Sequence, residues 1–276
     1  MTNTTFIETS AHKRFVEFAR TVRKDRTIGL CYGPAGVGKT LSARRYAKWD
    51  IAEPLLESWG PRDPSDEKVY AALARSRTVF YTPPVASAFA ALRKDLNQLR
   101  NRVEACIDQA LDPRSAQPTR PREGHTELII VDEAERLTNS ALEYLRDQFD
   151  RAEIGLILIG MPGIEKRMSR YPQLYSRIGF AHPYPPLSRD EMDFILKKQW
   201  QKLDMSVRKL QKEFDAEDFA DVQAATTISR LTGGNFRLLQ RLFNQIDRIL
   251  HINELREITD DVIQAAASTL VIGAAN

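Results

Sequence analysis

Eight consecutive residues, Gly33-Pro34-Ala35-Gly36-Val37-Gly38-Lys39-Thr40, limit the fold of this chain more than any other stretch. They spell G-x-x-x-x-G-K-[ST] between an apolar run, Ile28 to Tyr32, and a helical pattern from Leu41 to Trp49. A strand that turns through glycines into a helix start presents backbone N–H groups and the positive end of a helix dipole, and both attract phosphate. In such a loop Lys39 reaches the β- and γ-phosphates and the Thr40 hydroxyl enters a Mg²⁺ shell. Gly33 through Leu41 is therefore the expected contact segment for a nucleoside triphosphate. A glycine-rich turn of purely structural origin does not account for both flanks.

Further strands are expected at Thr78–Thr82, Leu128–Val131 and Gly155–Ile159, with helical patterns between them. Near-continuous apolar strands alternating with helices define an α/β fold, a parallel sheet covered on both faces. Helices are read at about 10–24, 66–75, 86–111 and 140–149, and the proline-bearing stretch 53–64 is read as a loop. Residues 112–124 contain three prolines, three arginines and no large apolar side chain, which predicts a mobile loop. After Tyr184-Pro185-Pro186-Leu187 the pattern is wholly helical, so the expected division is 1–186 for the α/β domain and 187–276 for a small helical one.

The strand Leu128–Val131 runs into Asp132 and Glu133. Two acids at the carboxyl end of a parallel strand stand where ligands of such sheets bind. Asp132 is the partner for the metal that Thr40 also holds, and Glu133 polarises the attacking water. Acids that merely favour a helix N-terminus are the bland alternative. Four histidines (His12, His125, His182, His251) are scattered singly, and each is read as a surface or interface side chain rather than a metal ligand.

The chain has 276 residues, 42% hydrophobic and 28% charged, which is ordinary for a globular protein. No apolar run approaches the ~20 residues of a membrane span, and the N-terminus lacks the regions of a secretory signal. With two cysteines only, Cys31 and Cys106, a reduced cytoplasmic chain without membrane partners is expected. The net charge of +3 is uneven: nine Lys/Arg against four acids between Arg75 and Arg122 make that segment +5 and the remainder −2. Such a bias fits a polyanion partner or a solvated helix face.

Several segments together resemble the AAA+ ATPases, and among them the transposition regulators typified by the phage Mu B protein, with TnsC, TniB and IstB. They are Phe6 to Thr9, the loop with Leu41 to Tyr46 after it, Leu128 to Leu137, Ile154 to Met161, and Leu174 to Ile178. The resemblance implies an ATPase whose helical part is a lid, with ATP and Mg²⁺ as cofactors. It implies that Arg177 is an arginine finger offered to a neighbouring subunit, and that Arg237, after Gly233-Gly234-Asn235-Phe236, is the sensor arginine of the lid. Phe236 stands where a proline is usual. Met161 stands where a polar residue usually senses the γ-phosphate; a thioether donates nothing, so slow hydrolysis is expected unless another residue substitutes.

The same resemblance implies head-to-tail oligomers, rings or helical filaments, around duplex DNA, and recruitment of a transposase or integrase. Arg93, Lys94, Arg100 and Arg102, with Arg114, Arg120 and Arg122 in the expected loop, are the candidates for phosphate contacts. The spacing of Arg93, Lys94 and Arg100 does not set all three on one helix face. No base-reading module is evident, so binding independent of sequence is expected. A protein-directed assembly or signalling ATPase, and a replication initiator or helicase loader, are the competing readings, because one fold hosts all three.

Overall fold

β1 (Ile28–Tyr32) consists of residues whose burial on both sides leaves no polar face, so it must lie inside a sheet. In the computed structural model, which describes residues 6–61, 63–85, 88–112, 124–206, 219–255 and 257–270, four further strands accompany it. They are β2 (Thr78–Tyr81), β3 (Leu128–Val131), β4 (Gly155–Gly160) and β5 (Ile178–Pro183). Every pairing is parallel, in the order β2-β3-β4-β1-β5. The register aligns Cys31 with Ile159 and Tyr81 with Val131, so the carboxyl ends of the strands lie along one edge.

The chain forms two compact units: one comprises residues 12–33 and 39–184, the other residues 1–11, 34–38 and 185–276. Helices of the sheet unit are α1 (Ser10–Asp25, its first two residues in the other unit), α2 (Lys39–Ala47), α3 (Trp49–Ser58), α4 (Glu67–Ser76), α5 (Phe89–Leu111), α6 (Asn139–Ala152), α7 (Ile164–Met168) and α8 (Pro172–Tyr175). On α1, Phe15, Ala19 and Val22 are fully buried at helical spacing. The Thr138 side chain caps α6 by accepting from the Ala141 N–H at 3.3 Å.

The second unit is helical: α9 (Arg189–Ser206), α10 (Phe219–Thr232), α11 (Phe236–Ile252) and α12 (Asp260–Ser268). A stripe on α11, Leu239, Leu242, Phe243, Ile246 and Leu250, packs with Ile195, Ile228 and Ile263 to form its core. No helix among the described residues is long and apolar enough to cross a membrane.

Three expectations change. Residues 53–58 are helical rather than loop, because α3 buries Trp49, Ala52 and Leu56 on one face. Arg44 also clamps its start, reaching Asp50 at 2.7 Å and Glu53 at 2.5 Å. Those contacts outweigh the one backbone bond that Pro54 forfeits. The strand β5 was not expected, since its sequence Ile-Gly-Phe-Ala-His-Pro carries no buried apolar run. An edge strand is held by backbone bonds to one neighbour, and its terminal proline is tolerated there. Of the histidines, His12 is buried, not superficial, with Nδ1 3.0 Å from Ser42 Oγ. The segment expected to be a mobile loop lies, from residue 113 to 123, outside the described residues.

Candidate nucleotide site

In the sheet unit, Lys39 opens α2 with its side chain 8% exposed and donates from Nζ to the Gly33 carbonyl at 2.6 Å. Burial pulls its pKa below the ordinary lysine value, while the nearby acids Asp132, Glu135 and Glu133 resist that shift. An anionic phosphate oxygen is a better acceptor for an ammonium group than a neutral carbonyl, so this contact can be exchanged for one. The next residue, Thr40, donates from its hydroxyl to Asp132 Oδ2 at 2.7 Å. Asp132 is 4% exposed and also accepts the Glu133 N–H at 3.0 Å. Burial pushes the Asp132 carboxyl above its usual range, with those two hydrogen bonds opposing. Two hard oxygen donors in mutual contact, one a buried carboxylate, suit Mg²⁺, whose charge offsets the burial cost. Among the described residues no cluster of three His, Cys, Asp or Glu offers an alternative metal site.

Glu133 follows with φ of 50°, in the left-handed region. This turns the chain sharply out of β3 and leaves the Glu133 side chain half-exposed, 3.8 Å from Arg136. A short 3-10 turn, Ala134–Arg136, comes next, and its carbonyls are gripped by Arg167, which bonds Glu135 O at 2.7 Å and Ala134 O at 3.3 Å. That grip aims Glu135 at the end of β4, where its Oε2 is buried with no hydrogen-bond partner among the described residues. A Cβ placed on Gly160 would lie 2.8 Å from that oxygen. Burial pushes the Glu135 pKa up, and the neighbouring charges of Glu133 and Asp132 push it further. Met161, one residue beyond, is exposed.

Residues 34–38 belong to the helical unit. Gly36 and Gly38 adopt φ of 79° and 111°, which side-chain-bearing residues rarely reach. The start of α11 fastens this loop: the Asn235 amide donates to Ala35 O at 2.9 Å, and the Arg237 N–H donates to Gly36 O at 2.9 Å. Asn235 also caps α11 by accepting the Leu238 N–H at 3.1 Å. The Arg237 side chain is exposed.

Arg177 stands apart from these groups, in the turn before β5, where it pairs with Asp150 at 2.6 Å and bonds Gln173 O. That pair holds the Asp150 carboxyl below its ordinary range. Of the basic residues singled out for DNA, Arg93 and Lys94 are exposed on α5. Arg100 lies 3.9 Å from Glu104, and Arg102 is half-buried, bonded to Leu56 O with its guanidinium 5.6 Å from the Trp59 ring centre. Arg114, Arg120 and Arg122 lie outside the described residues. Sequence reasoning missed Glu135 and Asn235. A third acid two residues after Glu133 was a visible signal for the first; the second required knowing which helix meets the loop.

The AAA domain family matches residues 22–168, and the chain belongs to it. A Staphylococcus aureus protein described as a potential ATP-binding protein is 43% identical over 281 aligned positions, covering 98% of each chain. The Mu-like prophage FluMu DNA transposition protein B of Haemophilus influenzae is 26% identical over 180 residues, 63% of this chain and 54% of that protein. Among solved structures, the Thermotoga maritima RuvB Holliday junction branch migration motor has a TM-score of 0.56 at 16% identity, over 97% of this chain and 71% of its own. The Aeropyrum pernix ORC2 protein has a TM-score of 0.55 at 15% identity, over 96% and 70%. At those identities the likeness is one of fold. The α/β P-loop architecture, the AAA domain and the site geometry thus agree on ATP as ligand.

Proposed function

We propose that this AAA+ protein hydrolyses ATP, binds duplex DNA without reading its sequence, and regulates DNA transposition by recruiting or stimulating a transposase or integrase. The observation that carries the ATP reading is the Thr40–Asp132 hydrogen bond beside a buried Lys39. The similarity to the FluMu transposition protein B supports the transposition reading.

In this scheme Lys39 leaves Gly33 O for the β- and γ-phosphates, and Thr40 and Asp132 would hold Mg²⁺, which would supply neutralisation of phosphate charge. Glu133 accepts a proton from the water that attacks the γ-phosphorus, as the bond to the β-phosphate oxygen breaks. Glu135 supplies the polar atom that Met161 lacks, its Oε2, without a partner among the described residues, taking a hydrogen bond in the hydrated site. Arg177 exchanges Asp150 for the γ-phosphate of a neighbouring subunit, and Arg237 senses nucleotide from the lid formed by residues 187–276. Subunits joined head to tail in this way build rings or filaments. Arg93 and Lys94 are the exposed candidates for the DNA backbone. Both cysteines are buried and neither forms a disulfide, in keeping with a reducing cytoplasm.

Fluorescence anisotropy of labelled duplex DNA with a non-hydrolysable ATP analogue tests the scheme. Binding that needs the nucleotide and weakens steeply with salt is expected, and Lys39→Ala should abolish it. Absence of DNA affinity with nucleotide bound would overturn the DNA reading in favour of an ATPase that acts on protein.

A further inference from the structure

At the amino ends of the strands, opposite the edge that carries Asp132, the sheet unit has an open cleft of about 860 Å³. Six cations line it: Arg20, Arg23, Lys24, Arg26, Arg77 and Arg151. Only two carboxylates, Glu127 and Glu153, accompany them. The lining is therefore +4, more than the +3 of the whole chain, so the remainder sums to −1.

Helix ends account for part of this charge. The C-termini of α1, α4 and α6 meet here, and cations offset their negative dipole ends. Arg23 bonds Ser76 O at 3.1 Å and Arg77 reaches Ala74 O at 3.4 Å. Both also share the single carboxylate of Glu127, at 2.5 and 2.8 Å, so that trio keeps an excess positive charge. Arg26 pairs with Glu153 at 2.6 Å and Arg151 with Asp147 at 2.8 Å. Arg20 and Lys24, one turn apart on α1, are exposed and hold no ion pair among the described residues. Lys24 sits in the last turn of α1, where its charge also offsets the dipole end, whereas Arg20 lies a turn earlier and serves no helix end.

Two buried hydroxyls in the same wall point to a ligand independently of charge. Thr126 is 1% exposed and its Oγ1 has no hydrogen-bond partner among the described residues. Tyr46 Oη, buried beside the Arg23 guanidinium, has no acceptor for its proton among the described residues. Orphaned hydroxyls of this kind normally find an acceptor or a water. The cleft is of a size that takes ligands larger than one small anion.

We infer that this cleft binds phosphate groups, in the backbone of duplex DNA or in a free polyphosphate, with Arg20 and Lys24 as its uncommitted contacts. The DNA form rests on the function proposed above; the polyphosphate form does not. The test compares wild type with Arg20→Gln/Lys24→Gln, both solvent-facing changes, after showing that Mg·ATP binding at the P-loop is equal in the two. Duplex affinity is measured across a salt series with the ATP analogue, and tripolyphosphate affinity is measured in a Lys39→Ala background that disables the P-loop.

Loss of two phosphate contacts lowers the slope of log affinity against log salt by about 2 and weakens duplex binding about tenfold or more at moderate salt. That result with tripolyphosphate unaffected assigns the backbone. Weakened tripolyphosphate binding alone assigns a free polyphosphate, whatever the fate of the DNA reading. Unchanged affinity for both, or no wild-type affinity for either, overturns the inference. If the duplex binds wild type and variant alike, the DNA reading survives and the cleft's part in it does not.

Discussion

Glu135 shows how one side chain can complete a site that its motif leaves short. Its Oε2 is buried at the end of β4 with no hydrogen-bond partner among the described residues, next to a methionine that offers no donor. Glu135→Ala should therefore lower kcat about 10- to 100-fold with little change in KM, since the group acts on water rather than on bound nucleotide. Glu135→Gln, which keeps a polar group in place, should recover part of that loss in steady-state ATPase assays. An equal fall in ATP affinity for both variants would reduce Glu135 to a structural role. Lys39, Thr40, Asp132 and Glu133 were legible because phosphate and metal chemistry places them next to each other in two short runs. Glu135 was not, because its meaning depends on Gly160, Met161 and the Arg167 grip, which the chain brings together from afar.

Elements were legible where burial leaves a periodic trace, as in β1, β3, β4 and the α11 stripe. They were hidden where other forces decide. The edge strand β5 is held by backbone pairing, and α3 by an arginine clamp around a proline. Ile246→Ala, in the centre of the α11 stripe, should cost about 2–5 kcal/mol in denaturant unfolding of the helical unit. At the sheet's other end, burial alone would raise the Glu127 pKa, but Arg23 and Arg77 hold it below the usual carboxylate value. A depressed folded value means stability that is present above the unfolded pKa and lost as pH falls through the folded one. Glu127→Gln should thus lower Tm by a few degrees near neutral pH, about 1 kcal/mol or less given its exposure. That gap should close as acid protonates the wild-type carboxylate, and a gap constant with pH would refute the assignment.

For the whole molecule, the proposed hydrolysis depends on subunits acting on each other. Arg177 is held by Asp150 within its own chain, and in the proposed scheme it acts on a neighbour's nucleotide. Arg177→Ala should bind ATP normally yet lose most hydrolysis, and so should Glu133→Gln. Mixing the two inactive variants should restore part of the activity, because some interfaces then unite an intact finger with an intact acid. No recovery at any ratio would place Arg177 outside the reaction. Beneath all of this lies the grip on triphosphate, and titration calorimetry with a non-hydrolysable ATP analogue and Mg²⁺ tests it most directly. Wild type should bind one equivalent, Glu133→Gln should bind as well, and Lys39→Ala should show no heat of binding. Binding retained by Lys39→Ala, or no heat with wild type, would contradict the account.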